Sequence, residues 1–250
     1  MFRWLILILL ITKWERSKPL LSSFANKLNK VTFIYPTGTQ SERDLFICPE
    51  NSACNIIHKR FWLPPLVERM CRCPQRHECK WLWTEEANNY TMMLDNRSQI
   101  KFCSDLSELP SCSLKKVAVQ EIVKTSSSNT TDIGAQKNRF GQKLIKQRDQ
   151  RNVTSFCHCK EPHYWKLRAN STKFDEVTHT RQQSYVCSKL KKCISKELCG
   201  YIRTDTYSTY YRCSCPKGHM CISKDKTLYK MEEMLFNGRG YKAFCYPVKN

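Results

Sequence analysis

The sequence predicts an all-β, small disulfide-rich protein made of three related antiparallel-sheet units in tandem. Two observations carry the prediction. The chain holds 16 Cys but only 7 Gly in 250 residues, a load that suits small covalently stapled units better than one large apolar core. The cysteines also repeat. Cys48, Cys54, Cys71, Cys73, Cys79 and Cys103 are spaced x5, x16, x1, x5, x23, and Cys193, Cys199, Cys213, Cys215, Cys221 and Cys245 are spaced x5, x13, x1, x5, x23. Only the second gap differs, so the chain is internally duplicated. The two nine-residue stretches CRCPQRHEC (Cys71 to Cys79) and CSCPKGHMC (Cys213 to Cys221) share a Pro after the second Cys and a His two residues before the third.

The remaining cysteines, Cys112, Cys157, Cys159 and Cys187, form a degraded third copy. It keeps Cys-x-Cys in CHCKEPHYW but has Trp165 where the other copies have Cys after x5. An Arg stands six residues before each closing Cys: Arg97, Arg181 and Arg239. The middle copy lacks one opening Cys and the Cys after Cys-x-Cys, a loss expected of bonded partners, since a lone thiol is a liability outside the cell. Connectivity does not follow from spacing alone. The working assignment is Cys48–Cys79, Cys54–Cys71, Cys73–Cys103, Cys112–Cys157, Cys159–Cys187, Cys193–Cys221, Cys199–Cys213 and Cys215–Cys245.

Along the chain, MFRWLILILLITKW reads as a secretory signal peptide over 1–25, with the small residues of SSFA ending at Ala25 and an apolar run too short to span a bilayer. Residues 26–44 read as a flexible arm. Unit 1 occupies 45–111. YTMML, Asp95-Asn96 and RSQIKFC form a hairpin before its closing Cys, and Pro64-Pro65 marks a loop or an edge. Unit 2 occupies 112–192. Its stretch from about 124 to 152 is polar and basic and reads as a long loop or disordered insertion. Unit 3 occupies 193–250. TYSTYYRCSC reads as a strand entering Cys-x-Cys. LYKMEEMLF, helical in isolation, is followed by Asn237-Gly238, the expected hairpin turn.

Five sequons, at Asn89, Asn96, Asn129, Asn152 and Asn170, join the leader and the even Cys count in pointing to secretion. No second apolar run is long enough for a membrane anchor. The net charge of +20 favours acidic partners such as sulfated glycans, with Lys143, Lys146, Arg148 and Arg151 the candidate glycan contacts. Nucleic acid is excluded by the extracellular setting. The motifs of zinc proteases, serine hydrolases and phosphate-binding loops are absent, so the reading is no enzyme and no cofactor. Cys-x-Cys in a secreted chain is a pair of half-cystines, not a zinc site. His77 and His219 hold equivalent repeat positions and read as turn residues. Trp62 with Leu63-Pro64-Pro65-Leu66, Trp81, Trp83, Trp165 and the Tyr201 to Tyr211 cluster are candidates for core filling or contact surfaces.

FWLPPLVERMCRCPQRHECKWLW, LDNRSQIKFCSDLSELPSC, YYRCSCPKGHMC and GRGYKAFCYPVKN resemble the Argos (giant-lens) family, secreted antagonists of EGF-receptor signalling. The likeness runs from Cys48 to the C-terminus. It implies three disulfide-bonded β domains forming a clamp that holds an EGF-like growth factor away from its receptor. A clamp of repeats needs more than one unit to reach the usual ~800 Å² per partner. The anchors expected in unit 1 are Trp62, Leu66 and Trp83, and in unit 3 Tyr210, Phe236 and Tyr241. Two other readings stay open: a Cys-rich toxin-like protein acting on another extracellular target, and a glycan-binding matrix protein.

Overall fold

Strands supply nearly all of the regular structure in the computed structural model, which describes residues 31–85, 88–113, 115–128, 146–160 and 162–248. The expected signal peptide lies outside the described residues. The first unit contributes β1 (Thr32–Ile34), β2 (Ala53–His58), β3 (Leu66–Arg69), β4 (Thr91–Asp95) and β5 (Ser98–Phe102), in the order β1-β3-β2-β5-β4. The second contributes β6 (Val117–Ser128), β7 (Lys146–Ser155), β8 (His163–Phe174) and β9 (Thr178–Lys189), in the order β7-β6-β9-β8. In the third are β10 (Lys191–Lys192), β11 (Leu198–Arg203), β12 (Thr209–Tyr211), β13 (Cys213–Ser214), β14 (His219–Ile222), β15 (Tyr229–Glu233) and β16 (Phe236–Pro247). Its main sheet runs β12-β11-β16-β14, β15 also pairs with β16, and β10 lies beside β13. One antiparallel plan therefore occurs three times: β3-β2-β5-β4, β7-β6-β9-β8 and β12-β11-β16-β15.

The repetition extends to single residues. Each unit opens with a turn whose third residue after the first Cys has positive φ: Asn51, Lys115 and Lys196. Each turn closes with the same bond, from Ser52, Lys116 and Glu197 N–H to the carbonyls of Pro49, Ser113 and Ile194. Each first long strand then carries a bulge where it pairs with the closing strand, and the extra residue is Cys54, Ala118 or Cys199. A parallel bridge next joins the residue before the first Cys to the middle residue of Cys-x-Cys: Ile47 with Arg72, Ser111 with His158, Lys192 with Ser214. By this pairing Ser111 and Lys191–Lys192 belong with the unit that follows them, slightly ahead of the limits read from the cysteines.

Bulge and bridge dictate the disulfides. The bridge sets Cys48 beside Cys71 and Cys193 beside Cys213, with Cα–Cα distances of 5.1 and 5.3 Å. The bulge aims Cys54 at Cys79 and Cys199 at Cys221, at 6.0 and 5.9 Å. The assignments Cys48–Cys79, Cys54–Cys71, Cys193–Cys221 and Cys199–Cys213 are thus corrected. Cys73–Cys103, Cys112–Cys157, Cys159–Cys187 and Cys215–Cys245 are bonded as assigned. No cysteine is free. In the middle unit the bonded pair is replaced by Ala118 on the bulge and Trp165 opposite, both buried in the same apolar cluster.

That cluster is common to all three units. Ile56, Met70, Leu94 and Ile100 from the first pack with Val119, Val153, Trp165 and Tyr185 from the second and with Tyr210, Met231 and Met234 from the third. Two smaller cores surround the disulfides of the outer units. The units share one core and are not beads on a string.

Three further expectations change. Residues 31–44 are not a free arm: β1 pairs in parallel with β3, and Glu42, in the short 3₁₀ turn Glu42–Asp44, is ion-paired with Arg69. The span 124–152 is not one loop. Val119 to Ser128 pairs without interruption with Lys146 to Ser155, and Val123 to Ser126 with Arg148 to Gln150 are exposed or half-buried, where Ser, Thr and Gln are tolerated; 129–145 lie outside the described residues. The turn of the β15–β16 hairpin is Met234–Leu235, with Leu235 at φ 61°, and Asn237 pairs with Glu232 inside the ladder. The expected β4–β5 hairpin does form, but its turn is Asn96–Arg97, with Asp95 ending β4 and pairing with Ser98.

Candidate ligand-capture surface

The β2–β3 loop (59–65) and the β11–β12 loop (204–208) are equivalent in the repeat, and the fold brings their tips together. Phe61 lies 5.5 Å from Trp62 and 6.4 Å from Tyr207, ring centre to ring centre. Trp62 is 90% exposed, Leu63 52% and Tyr207 53%. Trp62 and Tyr207 both have φ of 55°, which turns the chain sharply at each tip. Below them the loops are braced. The Arg97 guanidinium stacks 3.3 Å over the Phe61 ring, and Arg60 Nε–H donates to the Pro64 carbonyl at 2.8 Å.

The joint beneath is polar and specific. Ser208 Oγ–H donates to Asp95 at 3.0 Å, and the Thr209 N–H donates to Asn96 Oδ1 at 2.8 Å. Buried Arg203 pairs with Asp205; burial opposes ionisation of that carboxyl, but the Arg203 hydrogen bond and charge hold it below its usual range. A longer chain of polar and charged groups runs through all three units. His58 Nε2 sits 3.1 Å from Glu68, which faces Arg151 at 3.6 Å. Arg151 also meets the buried Glu121 at 3.2 Å, Arg181 approaches Glu121 at 4.0 Å, and Arg181 reaches Glu232 of the third unit at 3.4 Å. The Gln183 amide donates to Glu232 at 2.7 Å. Burial works against the Glu68 carboxylate, yet the His58 hydrogen bond and the nearby positive charges keep its pKa low.

The six expected anchors separate. Trp62 stands at the tip. Trp83 is half-buried beneath the Lys59 ammonium at 4.3 Å. Leu66 is half-buried within its sheet, opposite His58 and Thr32. Tyr210 is not a surface residue: it is 5% exposed and its hydroxyl donates to the Met234 carbonyl at 2.9 Å. Its place next to the paired strand turns it inward, where it fills the shared core. Phe236 stacks on it at 6.4 Å and carries Arg203 at 4.3 Å, and half-buried Tyr241 lies opposite Ile202. Phe61 is the member sequence reasoning missed. The signal available was the equivalence of the two loops, each entering the strand before Cys-x-Cys.

Two of the four glycan candidates are engaged within the protein. Arg151 is occupied by Glu121 and Glu68, and Arg148 donates to the Asp44 carbonyl at 2.6 Å. Lys146 begins β7, and Lys143 lies outside the described residues. Of the sequons, Asn89, Asn96 and Asn170 are exposed. Asn96 braces the joint between units, half-buried Asn152 donates to Thr154 Oγ1 at 3.3 Å, and Asn129 lies outside the described residues. His77 and His219 close equivalent turns, their N–H groups donating to Pro74 and Pro216 at 3.1 and 3.0 Å. Each group of cysteines close enough to hold a metal is already consumed by disulfides.

Fold and surface define a class: a disulfide-stapled protein of three β units on one core, whose first and third units share an exposed aromatic tip. Among solved structures the chain is similar to the crystal structure of unliganded Argos, with a TM-score of 0.50 and 21% identity, covering 88% of this chain and 100% of that one. Among curated proteins it is similar to U-scoloptoxin(11)-Sm7a of the centipede Scolopendra morsitans, 26% identical over 190 residues, 73% of this chain and 74% of the relative. No family model matches. Eight disulfides fit an extracellular location, and no helix among the described residues is long and apolar enough to cross a membrane.

Proposed function

We propose that the protein is a secreted binding protein that sequesters an EGF-like growth factor and so prevents activation of the EGF receptor. The observation that carries the reading is the joint tip: Phe61, Trp62 and Leu63 of the first unit beside Tyr207 of the third. Exposed aromatic residues supply most of the energy of such contacts, and here they come from two units at once, as a clamp requires. The growth-factor class rests on the resemblance to Argos in sequence and fold. The similarity to the scoloptoxin favours a second reading, in which the same tip engages a different extracellular target. Heparan sulfate remains a partner of the charged surface in this reading, without Arg151 as a contact.

The test is binding of an EGF-like domain to the full secreted chain, measured by calorimetry. The double substitution Phe61→Ala with Trp62→Ala weakens capture by at least about tenfold, the scale of an aromatic hot spot, and Tyr207→Ala does so independently. Trp62 is 90% exposed, so Trp62→Ala alone leaves the melting temperature unchanged, whereas Phe61→Ala also removes the ring beneath Arg97 and its binding is compared with that of the Trp62 variant. Unaltered affinity in both variants would remove the tip from the contact. No binding by the parent protein to any EGF-like domain would favour the toxin-like reading.

A further inference from the structure

The far end of the third unit carries a second amphipathic surface, about six strand residues from the aromatic tip along β11. Its opening turn, 194–197, lies against the start of β14 and the end of β16. Ser195 Oγ is 3.1 Å from His219 Nε2, the Lys196 N–H donates to the Cys245 carbonyl at 2.7 Å, and the Val248 N–H donates to the Gly218 carbonyl at 2.9 Å. Met220 pairs with Tyr246. Three apolar side chains therefore share this end, and all project into solvent: Ile194 is 73% exposed, Met220 55% and Val248 48%.

Exposed lysines accompany them: Lys191 and Lys192 on β10, Lys196 in the turn and Lys217 before Gly218. The acidic residue in the turn, Glu197, is engaged, accepting the Ile194 N–H at 2.7 Å. The equivalent turn of the first unit is covered, because the Asn51 carbonyl accepts the Ser155 N–H at 3.0 Å and Ser52 pairs with Thr154. In the third unit that role is open to an outside partner.

We propose that this end docks on an anionic lipid surface. The apolar residues protrude singly from a turn, from strand β14 and from the residue that follows β16. Protruding apolar groups ringed by lysines suit the headgroup boundary of a bilayer, where apolar burial and attraction to anionic lipid act together. Each lysine close to such a leaflet raises partition by roughly fivefold. A sulfated glycan would use the lysines but not Ile194 or Met220. Docking here leaves the aromatic tip pointing away from the membrane, and it does not depend on which ligand that tip takes.

Co-sedimentation of the full chain with vesicles of phosphatidylcholine, with and without phosphatidylserine, at 0.15 M salt tests this. Binding to the phosphatidylserine vesicles is expected, with at least about a tenfold loss on substituting Ile194→Ser with Met220→Ser. A similar loss is expected for Lys191→Gln, Lys192→Gln, Lys196→Gln and Lys217→Gln together. Neutralising Lys166, Arg168 and Lys173 of the exposed strand β8 together with exposed Lys160 removes the same four charges and leaves binding within about twofold. No sedimentation with phosphatidylserine overturns the proposal. So does an undiminished Ile194/Met220 variant, which would mark the surface as a site for a sulfated glycan or for bulk charge alone.

Discussion

At the scale of single residues, one position in the repeat shows how the units were tuned separately. The residue two before the closing Cys faces inward in every unit, and it is Lys101, Tyr185 or Ala243, each essentially inaccessible. Lys101 keeps its ammonium by donating to the hydroxyls of Thr84 and Thr91, both at 2.9 Å. Burial, with some repulsion from Lys80, brings its pKa down to about 8. Above that value the folded protein sheds a proton that the unfolded chain retains until roughly 10.4. Stability therefore rises with pH across that window and carries the full cost of the buried charge below it. Lys101→Met should raise the melting temperature at pH 7 and lose most of that advantage by about pH 10; an advantage that does not shrink would show that Lys101 is not titrating there. The sequence made Trp165 conspicuous, because it stood in the place of a Cys. Its partner Ala118 was invisible, since an alanine in an apolar run carries no mark of its origin.

At the scale of elements, the cysteine spacing revealed the strands that bear cysteines, and the structure agrees on an all-β, disulfide-rich fold. The misread elements are those where composition and pairing disagree. β6 and β7 are polar enough to pass for a loop, and only their partner strands reveal them. β16 holds Gly238 and Gly240 inside a strand, so Asn-Gly looked like a turn. Gly240 is needed for close approach: a Cβ there would sit 1.8 Å from Met231 Sδ and 2.5 Å from the Ile202 carbonyl. The pairing of the opening cysteines was misread because it depends on a bulge and a parallel bridge, neither of which leaves a spacing signal. The β6–β7 ladder has a direct consequence for proteolysis. Trypsin should spare the bonds after Arg148 and Arg151 in the folded protein, because an extended substrate cannot enter a protease while hydrogen-bonded to β6, and should cut both once the disulfides are reduced. Peptide mass mapping reads this out, and early cleavage at Arg151 would mean that the ladder does not hold in solution.

At the scale of the whole molecule, the shared core and the chain of charges from Glu68 to Glu232 set the first and third units at a fixed relation, with the second as the spacer. This is what places two equivalent loops side by side. The repeat was legible in the sequence, but not the meeting of its loops, because contact between units 146 residues apart, Phe61 to Tyr207, depends on how sheets pack. For the same reason Tyr210 passed for a surface anchor when it is core. The central claim is that capture uses both end units together. Amide hydrogen exchange of the full chain, with and without a bound EGF-like domain, tests it most directly. The account predicts that ligand slows exchange in 59–66 and in 204–209 together, leaving β8 unchanged. Protection confined to one of those loops, or found on β8 instead, would contradict it.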